Sequence, residues 1–201
     1  MSLMTDEVEM IEVQRAEEDL QRPFISELQI RLRTAQLAEL VARELDVKGL
    51  VVIVVLKGAF IFAADLTRRL YDQGITPELD FIRAASYGAG DKSSGTVETT
   101  LDVSTDLKNR PVLLVDDIVD SGRTLAHIKQ HLLNLGAKTV KSCVLLDKPS
   151  RREIEFEADW VGFKIPDIFV VGYGMDHAER YRYLPYITFI QRADSKSEPD
   201  D

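Results

Sequence analysis

Val115-Asp116-Asp117-Ile118-Val119-Asp120-Ser121-Gly122-Arg123-Thr124 follows the apolar residues Val112, Leu113 and Leu114 and leads into Leu125, Ile128, Leu132 and Leu135 at helical spacing. The apolar run predicts a buried strand that ends in the carboxylates of Asp116 and Asp117. The leucine stripe predicts an amphipathic helix that starts around Arg123 and stops at Gly136. Between them lies a short loop rich in Ser, Gly and Thr. Successive N–H groups in such a loop, with the helix dipole behind them, make an anion site, and Ser121 and Thr124 add hydroxyl donors. The loop has neither the G-x-x-x-x-G-K-[ST] spacing of a Walker A loop nor the G-x-G-x-x-G spacing of a dinucleotide fingerprint.

The same alternation of strand and helix extends in both directions. Ser26 and Gln29 form an S-x-x-Q capping box ahead of the apolar face Leu37, Leu40, Val41 and Leu45, which predicts a helix ending near Asp46. Residues 50–56 are continuously apolar, like a strand covered on both faces. They end at Lys57-Gly58, after which Phe62, Ala63, Leu66 and Leu70 recur at helical spacing. Residues 79–86 alternate as a strand. Residues 87–95 hold Gly88, Gly90, Gly95 and two serines, and are expected to be a mobile loop of the lid type. Further strands are expected at 97–103, 140–146, near 159–163 and at 169–173. Strands alternating with helices imply an α/β fold, a mostly parallel sheet with helices on both faces. Ligands of such sheets bind beyond the carboxyl ends of the strands. Three candidate sites fall there: Lys57-Gly58, residues 116–124 and Lys148.

The chain has 201 residues, 45% of them hydrophobic, enough for one good core. Its formal charge of −9 repels phosphate backbones, which argues against nucleic acid as a partner. A phosphorylated small substrate is compatible with that charge, because it needs only a local nest of N–H groups, a few cations and a metal ion. Acids beside such a nest make sense where they face hydroxyls or a bound cation, and a ribose phosphate carrying Mg²⁺ supplies both. The lone cysteine, Cys143, lies in an apolar stretch and is read as a buried, inert thiol in a reducing cytoplasm. The acidic N-terminus lacks a signal pattern and the longest apolar run is too short for a membrane span. Residues 1–22 are read as a partly ordered extension, 23–192 as the folded domain and 193–201 as an acidic, fraying tail. His127 and His131 stand at i, i+4 without the Glu of a zinc protease, and are read as exposed helix residues.

The quoted loop resembles the phosphoribosyl-pyrophosphate-binding motif of type I phosphoribosyltransferases, and other stretches resemble their hypoxanthine–guanine branch. Leu56-Lys57-Gly58-Ala59 is similar to the family's pyrophosphate loop. Phe81-Ile82-Arg83, running to Ser86-Tyr87, is similar to the start of its flexible lid. Leu145-Leu146-Asp147-Lys148 resembles the purine-binding strand. Val161-Gly162-Phe163-Lys164-Ile165-Pro166-Asp167, Phe169-Val170-Val171-Gly172-Tyr173 and the stretch from Asp176 to Arg182 resemble a C-terminal hood spanning about 155–190. Asp116 stands where relatives often carry Glu, and His177 where they often carry Tyr.

The resemblance implies the type I phosphoribosyltransferase fold and transfer of a phosphoribosyl group to a 6-oxopurine, with Mg²⁺. It places Asp116 and Asp117 on the ribose hydroxyls, directly or through a metal-bound water, and Asp120, Ser121, Gly122, Arg123 and Thr124 around the 5′-phosphate. Asp120 becomes the acid/base at purine N7, with a helix N-cap as its structural alternative. Lys57, Gly58, Ser86, Tyr87 and Arg182 fall on the phosphoribosyl pyrophosphate, and the Leu56–Lys57 peptide is expected to be cis. Lys148, Phe169, Val170 and Asp176 form the purine end: Lys148 donates to O6, Phe169 stacks on the base and Val170 reads the ring edge. Asp176 takes a second Mg²⁺, and Asp116, Asp117 and Asp176 are the metal-binding set. A homo-oligomer, dimer or tetramer, is expected, with neither nucleic acid nor membrane as partner. The rival reading is an RNA-binding pyrimidine-operon regulator of the same superfamily, against which Asp120, Lys148 and the hood argue.

Overall fold

The computed structural model describes residues 22–86 and 97–190. The expected lid at 87–95, the extension before Arg22 and the tail after Ile190 lie outside the described residues. Helix α1, Glu27–Glu44, begins at the capping box: Gln29 N–H donates to Ser26 Oγ, and Ser26 N–H donates to Gln29 Oε1 at 2.9 Å. Ile30, Leu37, Ala38 and Val41 line its buried face. Strand β1, Val51–Val55, is buried at every position, as its unbroken β-branched run requires. Helix α2, Phe60–Asp72, follows the Lys57-Gly58 turn, and strand β2, Glu78–Ser86, then lies parallel to β1. Strand β3, Val97–Leu101, returns antiparallel along β2.

Strand β4, Pro111–Val119, helix α3, Arg123–Asn134, and strand β5, Thr139–Asp147, form the next unit, and strand β6, Trp160–Lys164, completes the sheet. The order is β3-β2-β1-β4-β5-β6, parallel except for β3. Helices α1 and α2 cover one face over Val52, Val54, Leu113, Val115, Cys143 and Leu145. Helix α3 covers the other over Val51, Ile53, Val112, Leu114, Val140 and Val144. Two short strands, β7 (Val170–Val171) and β8 (Thr188–Phe189), pair antiparallel above the sheet. An Ile25–Ile187 bridge ties them to the chain leading into α1. Because β2 lies on one side of β1 and β4 on the other, the order reverses between β1 and β4. A crevice opens there beyond the carboxyl ends of the strands.

The architecture is the expected one, and five local expectations are corrected, the last at His131. Strand β4 does not end at the acid pair. It runs on to Val119, because Ile118 and Val119 still pair with Leu146 and Asp147. The N-cap of α3 is Gly122, at φ 86°, and not Asp120, since the chain turns through a left-handed residue that glycine tolerates. Leu135 is 42% exposed, because the helix ends one residue before it. The strand expected at 169–173 shrinks to two residues and leaves Phe169 outside it, 37% exposed. His127 is exposed, as expected. His131 is half-buried and lies 2.8 Å from Asp102. Cys143 is buried, which pushes its thiol up to about 12.

Candidate active site

The crevice holds a cavity of about 450 Å³ that receives residues from all three candidate sites and from the segment around β7, but none from residues 161–167. Lys57 and Gly58 enter from the β1–α2 turn, Asp117, Ile118 and Asp120 from the end of β4, Lys148 from the end of β5, and Phe169, Val170, Met175, Asp176, Glu179 and Arg182 from the segment around β7. Four cations (Lys57, Arg83, Lys148, Arg182) face four carboxylates (Asp117, Asp120, Asp176, Glu179). The acidic balance of the whole chain therefore does not extend into the cavity.

Asp116 and Asp117 lie side by side. Asp116 is buried, and its Oδ1 accepts from Asp117 N–H at 2.9 Å. Burial, then the charge of Asp117, pushes the Asp116 carboxyl well up; burial also raises Asp117, against hydrogen bonds and the Arg182 guanidinium. Asp117 faces the cavity and Asp116 is not among its lining, because β4 continues past both and carries Asp116 under the sheet surface. Opposite Asp117 stands the α-carbon of Gly58, where any β-carbon would collide with the carboxylate. The Leu56–Lys57 peptide is cis.

Asp120 sits at the mouth of the α3 loop. Arg151 Nε donates to its Oδ1 at 3.3 Å, and Arg152 donates both to the Asp120 carbonyl and to the Asp147 carboxylate. Lys148 N–H donates to Val119 O at 3.0 Å, which holds the base of the Lys148 side chain beside Asp120. Lys148 is only 7% exposed, and among the described residues no carboxylate pairs with it. Ser121, Gly122, Arg123 and Thr124 lie beside the cavity rather than in its lining. Residues 152–156 fold over them: Arg123 pairs with Glu153 at 2.6 Å, and Phe156, Ile154 and Arg152 surround Gly122. The N-cap Gly122 has no side chain to cap α3 and its first turn carries no acid; Arg123 N–H donates to Ser121 Oγ at 3.4 Å, and the positive end of the helix dipole faces outward with no carboxylate on it.

Arg182 Nη2 lies 2.6 Å from Asp176 and 3.0 Å from Glu179, whose other oxygen meets Lys57 Nζ at 2.8 Å. Arg182 Nη1 also donates to Gly174 O. Gly174, at φ 103°, sets its bare α-carbon against the carbonyl of Gly58. Phe169 meets His177 edge-on at 5.4 Å between ring centroids and presents its exposed part to the cavity. Ser86 ends β2 and its side chain is not described; Tyr87 lies outside the described residues.

Sequence reasoning quoted Arg83 in the lid-start motif without giving it a role, and did not single out Glu179, Arg151 or Arg152. Glu179 had a signal, since it stands three residues from both Asp176 and Arg182. Arg152 had none, because its partners Asp120 and Asp147 meet it only after β5 turns back through the 3-10 turn Pro149–Arg151. No three His, Cys, Asp or Glu side chains among the described residues converge as a metal cage. No helix among them is long and apolar enough to cross a membrane.

Residues 27–178 match the family model described as phosphoribosyl transferase domain. The chain is 42% identical over 166 residues to the hypoxanthine phosphoribosyltransferase of Escherichia coli K12, spanning 82% of this chain and 92% of that protein. It is 43% identical over 173 residues to the bifunctional protein TilS/HprT of Listeria monocytogenes, spanning 86% of this chain and 26% of that longer protein. Among solved structures, a hypoxanthine-guanine phosphoribosyltransferase from Bacillus anthracis superposes with a TM-score of 0.80 at 42% identity, covering 86% of this chain and 100% of that one. The chain belongs to the phosphoribosyl transferase family, on the branch of the hypoxanthine phosphoribosyltransferases.

Proposed function

We propose that the chain transfers the 5-phosphoribosyl group of phosphoribosyl pyrophosphate to N9 of hypoxanthine, and of guanine, releasing pyrophosphate. One observation carries the reading. A single cavity is lined by a buried, unpaired lysine, an aromatic, two cations bridged by a carboxylate, and three further carboxylates.

In the reaction, N9 attacks C1 of the ribose as the bond from C1 to the pyrophosphate oxygen breaks. The electron pair leaves with pyrophosphate, and C1 becomes oxocarbenium-like. Asp120 accepts the N7 proton of the base, which keeps the neutral purine nucleophilic as the new bond forms. Lys148 donates to O6. An ammonium has donors only, so it suits an oxo group and leaves an amino group unmatched. Phe169 stacks on the base, with Val170 at the ring edge. Asp117, backed by Asp116, holds the ribose hydroxyls. The uncapped N-terminus of α3, with Asp120 to Thr124, holds the 5′-phosphate. Lys57 and Arg182 stabilise the charge growing on the leaving group.

Magnesium fits this donor set. Asp116 and Asp117 are adjacent carboxylates raised by burial, and among the described residues the one cation acting on Asp117 is the Arg182 guanidinium. A cation carried in with a diphosphate, keeping several waters, suits so few protein ligands. Asp117 with Asp116, and Asp176, would hold it, and when bound it neutralises diphosphate charge. We place the protein in the cytoplasm as a homo-oligomer, dimer or tetramer, acting on small molecules rather than nucleic acid or membranes. Its lone buried thiol and net charge of −9 support that placement.

The test is direct: incubate the protein with phosphoribosyl pyrophosphate, Mg²⁺ and each of hypoxanthine, guanine, xanthine, adenine and uracil, and separate the products. Inosine and guanosine monophosphates are expected. A protein that makes only uridine monophosphate, or binds RNA without turning over purines, would overturn the reading.

A further inference from the structure

The two cations assigned to the leaving group are already bridged by a carboxylate of the protein itself. One oxygen of Glu179 lies 2.8 Å from Lys57 Nζ and the other 3.0 Å from Arg182 Nη2. Lys57 comes from the β1–α2 turn and Glu179 from a segment 122 residues later. An anion with two oxygens spanning two cations from separate parts of the chain is the arrangement a diphosphate would make there.

Three further observations mark the arrangement as one that can be undone. The Glu179 side chain is 64% exposed, so packing does not hold it in place. Its backbone is strained, because Ala178, Glu179 and Tyr181 all take positive φ (51°, 63° and 75°) without being glycine. Arg182 Nε is buried without an acceptor, so Glu179 leaves the guanidinium incompletely satisfied.

We propose that Glu179 is the resident counter-anion of the leaving-group subsite, holding Lys57 and Arg182 in place until a diphosphate displaces its carboxylate. The proposal rests on the reading of this cavity as a phosphoribosyl pyrophosphate site. Glu179 is a positioning residue. It offsets the repulsion between the two like charges, and it competes equally with incoming substrate and departing pyrophosphate. Its return to the cations as pyrophosphate leaves would speed release. A merely structural ion pair has the opposite signature, because its removal loosens the segment around Arg182 and weakens diphosphate binding.

The experiment is calorimetric titration of inorganic pyrophosphate with Mg²⁺ into the wild type and into Glu179→Gln, Glu179→Asp and Arg182→Gln. Glu39→Gln serves as a control that removes one exposed charge on α1. Glu179→Gln is expected to bind pyrophosphate about three- to thirtyfold more tightly than wild type, the range set by two exposed ion pairs. The gap should narrow at high salt. Glu179→Asp should fall between the two, and Glu39→Gln should match wild type. In turnover, KM for phosphoribosyl pyrophosphate should fall in Glu179→Gln, KM for the purine should hold and kcat should not rise. If Arg182→Gln weakens pyrophosphate while Glu179→Gln binds it no more tightly than wild type, the proposal fails alone. If wild type does not bind pyrophosphate, or Arg182→Gln leaves its affinity unchanged, the reading of the cavity fails and takes the proposal with it.

Discussion

The α-carbon of Gly58 faces the Asp117 carboxylate so closely that a β-carbon built there would stand 1.8 Å from Oδ2 and 2.5 Å from Cγ. The pairing of β1 with β4 sets this approach, since Val54 lies beside Val115 and the chain beyond each strand continues into the same crevice. Gly58→Ala is therefore expected to push the carboxylate off its position and to lower kcat/KM about 10²-fold, the scale of a displacement near 1 Å in a reactive site. Steady-state kinetics with hypoxanthine checks this. Wild-type activity in the alanine variant would mean that Asp117 is not used where it stands.

Asp120→Asn keeps the size and the link to Arg151 but removes the proton acceptor. Its kcat is expected to fall by about 10²-fold or more, as for loss of a positioned general base. Binding of phosphoribosyl pyrophosphate should change little. Single-turnover rates alongside equilibrium binding separate the two, and full activity in the variant removes Asp120 from the chemistry.

Lys148 is expected to decide between 6-oxo and 6-amino purines. Lys148 is almost fully buried, and an adenine amino group would leave donors facing donors. An unpaired buried donor costs about 1–3 kcal/mol, or roughly fivefold to 150-fold in selectivity. Lys148→Gln supplies an acceptor and should narrow the ratio of kcat/KM for hypoxanthine over adenine. An unchanged ratio would move selectivity to the backbone near Val170.

Away from the site, Asp80 pins the chain after β3. It accepts from Ser104 N–H at 2.7 Å and Thr105 N–H at 2.8 Å, and from Phe81 N–H. Burial would raise its carboxyl, but the N–H groups of Thr105, Phe81 and Ser104 outweigh burial and bring it from 3.8 to about 2. The folded value is the lower one, so the stabilisation is present above the unfolded value and is lost as pH falls from there through about 2. Asp80→Asn is expected to cost about 1–2 kcal/mol at neutral pH, allowing for solvent screening. Urea unfolding should show that difference closing in acid. A difference that persists there would trace the effect to shape rather than charge.

The strands and helices were legible because their signals are local. Ser26 and Gln29 close their box within one turn, and the β-branched run of β1 needs no neighbour to be read as buried. What escaped depends on partners far along the chain. Asp116 and Asp117 look like a strand end to a reader of residue types, yet β5 keeps pairing with β4 beyond them. Strand β8 and the Ile25–Ile187 bridge join the two ends of the described chain, which no window of sequence spans. At the site, the residue types were readable and their neighbours were not. Lys57 and Arg182 could be assigned as cations, but the carboxylate of Glu179 between them appears only when the chain is folded.

The contact between Gly174 and Gly58 has a mechanical side. A β-carbon on Gly174 would lie 2.0 Å from the Gly58 carbonyl, so main chain bears on main chain there with nothing compressible between. Side chains relax by rotamer jumps within nanoseconds, whereas abutting backbones shift only in concert and far more slowly. Arg182 donates to the carbonyl of Gly174, and Lys57 precedes Gly58, so both cations are mounted on this one abutment. That end of the cavity behaves as an anvil in its main chain alone: the two backbones stay abutted, and what gives way to an arriving anion is the exposed Glu179 side chain.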